Sequence, residues 1–158
     1  MSGLYIHFPF CLKKCAYCDF CSTPQNELPK NTYAEYLEAL KQDFLQWLAS
    51  PPFVPPLPGA RPLTPARMLR PSADGQSGRE RGGGGEVKTI YLGGGTPTLF
   101  PTELLQKLFE FIYQYVDKRK VQEITIEANP AAVDSHKLEI YKKLGVTRVS
   151  LGVQSFNN

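Results

Sequence analysis

Four cysteines, Cys11, Cys15, Cys18 and Cys21, fall within one window of eleven residues, and the chain holds no others. Thiols crowded into so short a stretch cannot staple distant parts of a fold, so the chain must close its core by burial. The opening residues show no basic stretch followed by a long apolar run, so they do not read as a secretory signal. No apolar run reaches the ~20 residues that span a bilayer. A cysteine cluster in such a chain points to metal binding in a reducing, cytoplasmic compartment. A formal net charge of +3 is too small to argue for a nucleic-acid partner, which calls for a dense basic face.

A length of 158 residues predicts one domain. Its continuity is broken at residues 51–86, which carry eight of the 14 prolines and seven of the 13 glycines, and no lysine. Such a composition cannot bury enough apolar surface to offset its ordering entropy and predicts a disordered insertion within the domain. Around it the pattern alternates between strand and helix. Strands are predicted at residues 4–7, 87–92, 121–126 and 146–151. A first helix is predicted from a Thr32/Glu35 capping box, with a stripe that includes Tyr36, Leu37, Phe44 and a core Trp47. A second runs from about Pro101 through Leu105, Leu108, Phe109, Ile112 and Val116. A third is capped by Asp134, passes through Leu138, Tyr141 and Leu144, and is closed by Gly145. Strands alternating with helices imply a parallel sheet in an α/β fold.

Parallel α/β folds place their chemistry at the C-terminal ends of the strands. Each unusual stretch of this chain follows a strand: the cysteines the first, Gly93, Gly94 and Gly95 the second, Glu127 with Asn129 and Pro130 the third, Gly152 and Gln154 the fourth. The spacing C-x3-C-x2-C-x2-C suits three thiolates on three irons of a [4Fe–4S] cluster with the fourth iron open. A structural zinc site draws two ligand pairs from separate knuckles, and only one knuckle is present, which favours iron–sulfur over zinc. His7 reads equally as a loop-fixing hydrogen-bond partner or as a catalytic group, and His136 as a surface residue.

The stretch from Tyr5 through Cys11, Cys15, Tyr17 and Cys18 to Phe20 resembles the signature of the radical S-adenosylmethionine (SAM) family. The form is that of the oxygen-independent coproporphyrinogen III oxidases and their haem-chaperone relatives of the HemW type. The stretches 93–98, 127–130 and 148–156 recur in that family's order and spacing, so the resemblance covers nearly the whole chain outside residues 51–86. It implies a parallel-stranded partial (β/α) barrel, of which residues 1–158 would be the N-terminal half, truncated after the fourth strand and lacking the shielding a self-sufficient catalyst needs.

Carried over by position, the resemblance implies that Cys11, Cys15 and Cys18 ligate the cluster and that S-adenosylmethionine chelates the open iron. Tyr5 and Tyr17 would contact the cofactor. Gly94, Gly95 and Thr96 would meet its polar groups with exposed backbone, and Glu127 and Gln154 its amino or ribose groups. The oxidases carry a fourth cysteine where this chain has Phe20, so Cys21 is expected to be a free thiol and the chaperone branch is favoured. The implied function is haem metabolism, with porphyrin or haem as the small-molecule partner, haem by kinship alone, and a flavodoxin or ferredoxin as electron donor. A true coproporphyrinogen III dehydrogenase, or a non-catalytic remnant acting as a metal-binding module, remains the alternative.

Overall fold

Apolar residues at every second position of the first and fourth strands, and helical stripes between strands, produce the elements β1 (Ser2–Phe8), α1 (Thr32–Ala49), β4 (Val87–Gly94), α2 (Thr102–Ile112), β5 (Glu123–Ala128), α3 (Ser135–Leu144) and β6 (Arg148–Leu151). Among the described residues, two short strands, β2 (Phe10–Cys11) and β3 (Thr23–Pro24), pair with each other alone. The computed structural model describes residues 2–49, apart from Tyr17 and Phe20, and residues 87–153. The insertion read at residues 51–86 lies outside the described residues.

The main sheet has the order β1-β4-β5-β6, and every neighbouring pair is parallel. Tyr5 lies opposite Tyr91, Leu92 opposite Ile126, and Ile126 opposite Val149. Because successive side chains of a strand point to opposite faces, Ile6, Phe8, Ile90, Leu92, Ile124 and Ile126 gather on one face and are buried. The helices cover that face with Leu37 and Phe44 from α1, Leu105, Leu108, Phe109 and Ile112 from α2, and Tyr141 from α3, in one continuous core. Each large apolar side chain so buried contributes about 1.5–3 kcal/mol. The opposite face carries Tyr5, His7, Tyr91 and Glu127, none of them fully buried. One sheet therefore has a dry side for stability and a polar side for chemistry.

Local chemistry explains the helix limits. Asp134 Oδ1 accepts the Lys137 N–H at 2.8 Å at the start of α3, and Gly145 ends it at φ +98°, a left-handed conformation that favours glycine. The Thr32/Glu35 capping box does not form. Thr32 Oγ1 instead donates to the Pro29 carbonyl at 2.8 Å, and the Glu35 N–H is taken by the Asn31 carbonyl at 3.0 Å. Trp47, expected in the core, is 41% exposed, and Leu138 is 42% exposed. Val116 is buried but lies beyond the end of α2. The third strand of the main sheet begins two residues later than its apolar pattern predicts, because pairing with β4 starts at Thr89 opposite Glu123. Among the described residues, no helix is long and apolar enough to cross a membrane.

Candidate cofactor site

The cysteine loop is closed at its base by backbone and anchored by one aromatic ring. After β1, Pro9 accepts the Thr23 N–H at 2.8 Å, and the two-residue ladder of β2 with β3 brings the loop's ends together. Phe10 is buried between the rings of Tyr33 and Tyr36, at centroid distances of 4.8 and 5.0 Å, with Phe100 stacked at 6.1 Å. Edge-to-face aromatic packing of this kind fixes the β2 backbone, and Cys11 follows immediately.

Cys11, Cys15 and Cys18 line a single cavity of about 420 Å³, whose other walls include Gly94, Gly95, Thr96 and Glu127. Cys21 does not line it. Its link to the site runs through its backbone carbonyl, which accepts from His7 Nε2 at 3.2 Å. All four thiols are free. Among the described residues no three Cys, His, Asp or Glu side chains converge as around one metal ion. Thiolates spread along a wall suit a polynuclear cluster, in which each meets a different iron. The glycine turn fits against them closely: a Cβ on Gly95 would stand 2.5 Å from the Phe10 carbonyl oxygen and 3.0 Å from Cys11 Sγ. These features fit a [4Fe–4S] cluster with room beside it for a small organic cofactor.

The glycine turn differs from expectation in one respect. Its backbone donors are already used: the Gly94 N–H bonds Glu127 Oε2 at 3.0 Å, the Gly95 N–H the Phe8 carbonyl at 2.8 Å, and the Thr96 N–H the Phe10 carbonyl at 2.6 Å. Gly94 and Thr96 are also buried. The turn thus offers a ligand close approach, but not free N–H groups, because the same amides weld it to β1, to β2 and to Glu127. Gly94 adopts φ +112°, and a Cβ there would come within 2.5 Å of the His7 ring.

Glu127 is held from two sides, accepting the Tyr91 hydroxyl at 2.7 Å in addition to the Gly94 N–H. That hydrogen bond, followed by burial, raises the Tyr91 pKa above its ordinary value. Tyr5, expected at the cofactor, does not line the cavity. It stacks on Tyr91 at 5.9 Å, its hydroxyl lies 3.2 Å from His7 Nδ1, and it is 56% exposed. Desolvation and then the Glu127 carboxylate raise its pKa. Tyr17 and Gln154 lie outside the described residues. Lys13, Asn129 and Ser150 also line the cavity and were not singled out as contacts. Asn129 and Ser150 stand at or just beyond parallel strand ends, which was the available signal, whereas Lys13 carries no pattern that marks it.

Residues 65–158 match the Radical SAM superfamily, more than half of the chain. The chain belongs to this superfamily. Membership implies a [4Fe–4S] cluster and S-adenosylmethionine, in agreement with the thiol-lined cavity. This radical SAM chain is 33% identical to heme chaperone HemW of Haemophilus influenzae over 99% of its own length, and 33% identical to HemW of Bacillus subtilis over 100%. In both cases it covers 33% of the relative, so it spans about a third of the length of the curated relatives it matches. It shares its fold with the radical SAM enzyme coproporphyrinogen III oxidase of Escherichia coli. The TM-score is 0.67 at 24% identity, covering 98% of this chain and 28% of that one.

Proposed function

We propose that this chain carries the cluster and cofactor site of a haem chaperone of the HemW type. The observation that carries the reading is the gathering of Cys11, Cys15 and Cys18, but not Cys21, around one cavity walled by the glycine turn and Glu127. The identity to heme chaperones along the whole chain supports the haem assignment. Cys11, Cys15 and Cys18 hold the cluster, and the cofactor lies between it and the Glu127 side. When bound, the pair supplies one-electron cleavage of a sulfonium.

The chain's own residues provide position. Phe10 anchors the loop, the Gly95 backbone admits the cofactor beside Cys11, and Glu127, with both oxygens already engaged, presents its remaining lone pairs as a fixed acceptor for amino or ribose groups. Tyr5 supports Tyr91 from behind, and Tyr17 and Gln154 complete the cofactor contacts. The working compartment is cytoplasmic, haem is the partner, and a flavodoxin or ferredoxin delivers the electron.

Anaerobic reconstitution with iron and sulfide, followed by Mössbauer and electron paramagnetic resonance spectra with and without S-adenosylmethionine, tests the site. A [4Fe–4S] signal that shifts on adding the cofactor is expected. A chain that takes up zinc but no cluster contradicts the reading and leaves a metal-binding module. Haem titration followed at the Soret band tests the chaperone assignment, and release of carbon dioxide from coproporphyrinogen III would move the chain to the oxidases.

A further inference from the structure

Lys137 is a cation in the first turn of α3, where the helix dipole and unpaired N–H groups favour negative charge. The helix does not explain its charge, since Asp134 caps the Lys137 backbone N–H rather than its side chain. The ammonium group instead donates to two backbone carbonyls, Thr98 and Ala132, each at 2.8 Å. No described carboxylate forms an ion pair with it. Thr98 is fully buried and Ala132 nearly so, and a buried acceptor without a donor is costly.

The two acceptors sit in turns that continue two different walls of the cysteine cavity. Thr98 lies in the turn that directly follows Gly95 and Thr96, and Ala132 in the turn that directly follows Glu127 and Asn129. The ladder between β4 and β5 ends at Leu92 opposite Ile126, so beyond that point the walls are tied by side chains. One tie is the Gly94 N–H to Glu127. The geometry points to Lys137 as the second: a positioning residue for cofactor binding, whose ammonium latches the glycine turn to the Glu127 loop and sets the gap that S-adenosylmethionine must fit. This rests on the cofactor site proposed above. Lysine suits the task because its ammonium can donate to several carbonyls around one point.

The test compares Lys137→Met and Lys137→Arg with wild type in the reconstituted protein, reading iron per chain, S-adenosylmethionine affinity by equilibrium dialysis, and the cofactor-induced shift of the reduced cluster's paramagnetic spectrum. Iron content should be unchanged. Lys137→Met should bind the cofactor about tenfold more weakly, the scale of one charge-assisted hydrogen bond, with a diminished spectral shift. Lys137→Arg, which keeps donors for both carbonyls, should recover most of the affinity. Equal affinity in Lys137→Met overturns the latch alone. Losses in both variants that simply follow a fall in melting temperature overturn it as well, since they mark support of the fold and nothing specific to the cofactor. Wild-type protein that builds no cluster removes the site reading and the latch with it. Should Lys137→Met fail to fold, Lys137→Gln, with an amide donor on a shorter stem, carries the same comparison.

Discussion

His7 Nε2 donates to the carbonyl of Cys21 at 3.2 Å, clamping the far end of the cysteine loop to β1 across fourteen residues of chain. A carbonyl oxygen only accepts, so Nε2 carries a proton, and Nδ1 faces the Tyr5 hydroxyl at 3.2 Å. Of the two roles open to this histidine in the sequence, the geometry supplies the loop-fixing one. His7→Phe keeps a ring of similar size but neither bond. It should lower unfolding stability by about 1 kcal/mol, read as a shift of the urea midpoint under anaerobic conditions. An unchanged midpoint counts against the clamp.

Because Cys21 is tied through its backbone, truncating its side chain leaves that tie in place. Cys21→Ala should therefore retain wild-type iron after reconstitution, while Cys11→Ala, Cys15→Ala and Cys18→Ala should each lose the [4Fe–4S] spectrum. Iron and sulfide analysis of the four variants decides the matter. Full iron in Cys15→Ala, or lost iron in Cys21→Ala, contradicts the ligand set.

The glycine turn should be intolerant of a methyl group. Gly94→Ala would place its Cβ 2.5 Å from the His7 ring at a φ of +112°, and Gly95→Ala would press on the Phe10 backbone carbonyl at 2.5 Å. Forcing an L side chain into such positions costs on the order of 1–3 kcal/mol, measurable by chemical denaturation. Gly95→Ala should also lower cluster occupancy, since the group it displaces is next to Cys11.

Burial pushes Tyr36, Tyr113 and Tyr141 from 10.0 up to about 12. Between those values the unfolded chain loses protons that the folded chain keeps. The tyrosines' contribution is therefore complete below a pH of about 10 and is lost as pH rises towards about 12. Among the described residues the Tyr141 hydroxyl is buried with no hydrogen-bond partner, so Tyr141→Phe should be neutral or stabilising by up to about 1 kcal/mol near neutral pH and should flatten the alkaline decline. Melting temperatures of the two proteins across the alkaline range give the comparison, and a strongly destabilised Tyr141→Phe would point to a partner for the hydroxyl.

The alternation of strand and helix and the rim on which the motifs fall were legible in the residues. Side-chain period and cap residues such as Asp134 and Gly145 are local properties, and parallel order follows from them with little freedom. What depends on contacts between distant segments was not legible. The ladder of β2 with β3 is two residues long and has no period to read. The exposure of Trp47 depends on what lies over the end of α1, and the late start of β5 on its register with β4. The motifs named the residues around the cysteines, but the tertiary structure decided which groups they offer. It spends the amides of Gly94, Gly95 and Thr96 on the fold, sets Tyr5 behind Tyr91, and bonds Lys137 to Thr98 across 39 residues of chain. A hydrogen bond across such a separation leaves no trace in local sequence, because its partners become neighbours only when the sheet has formed.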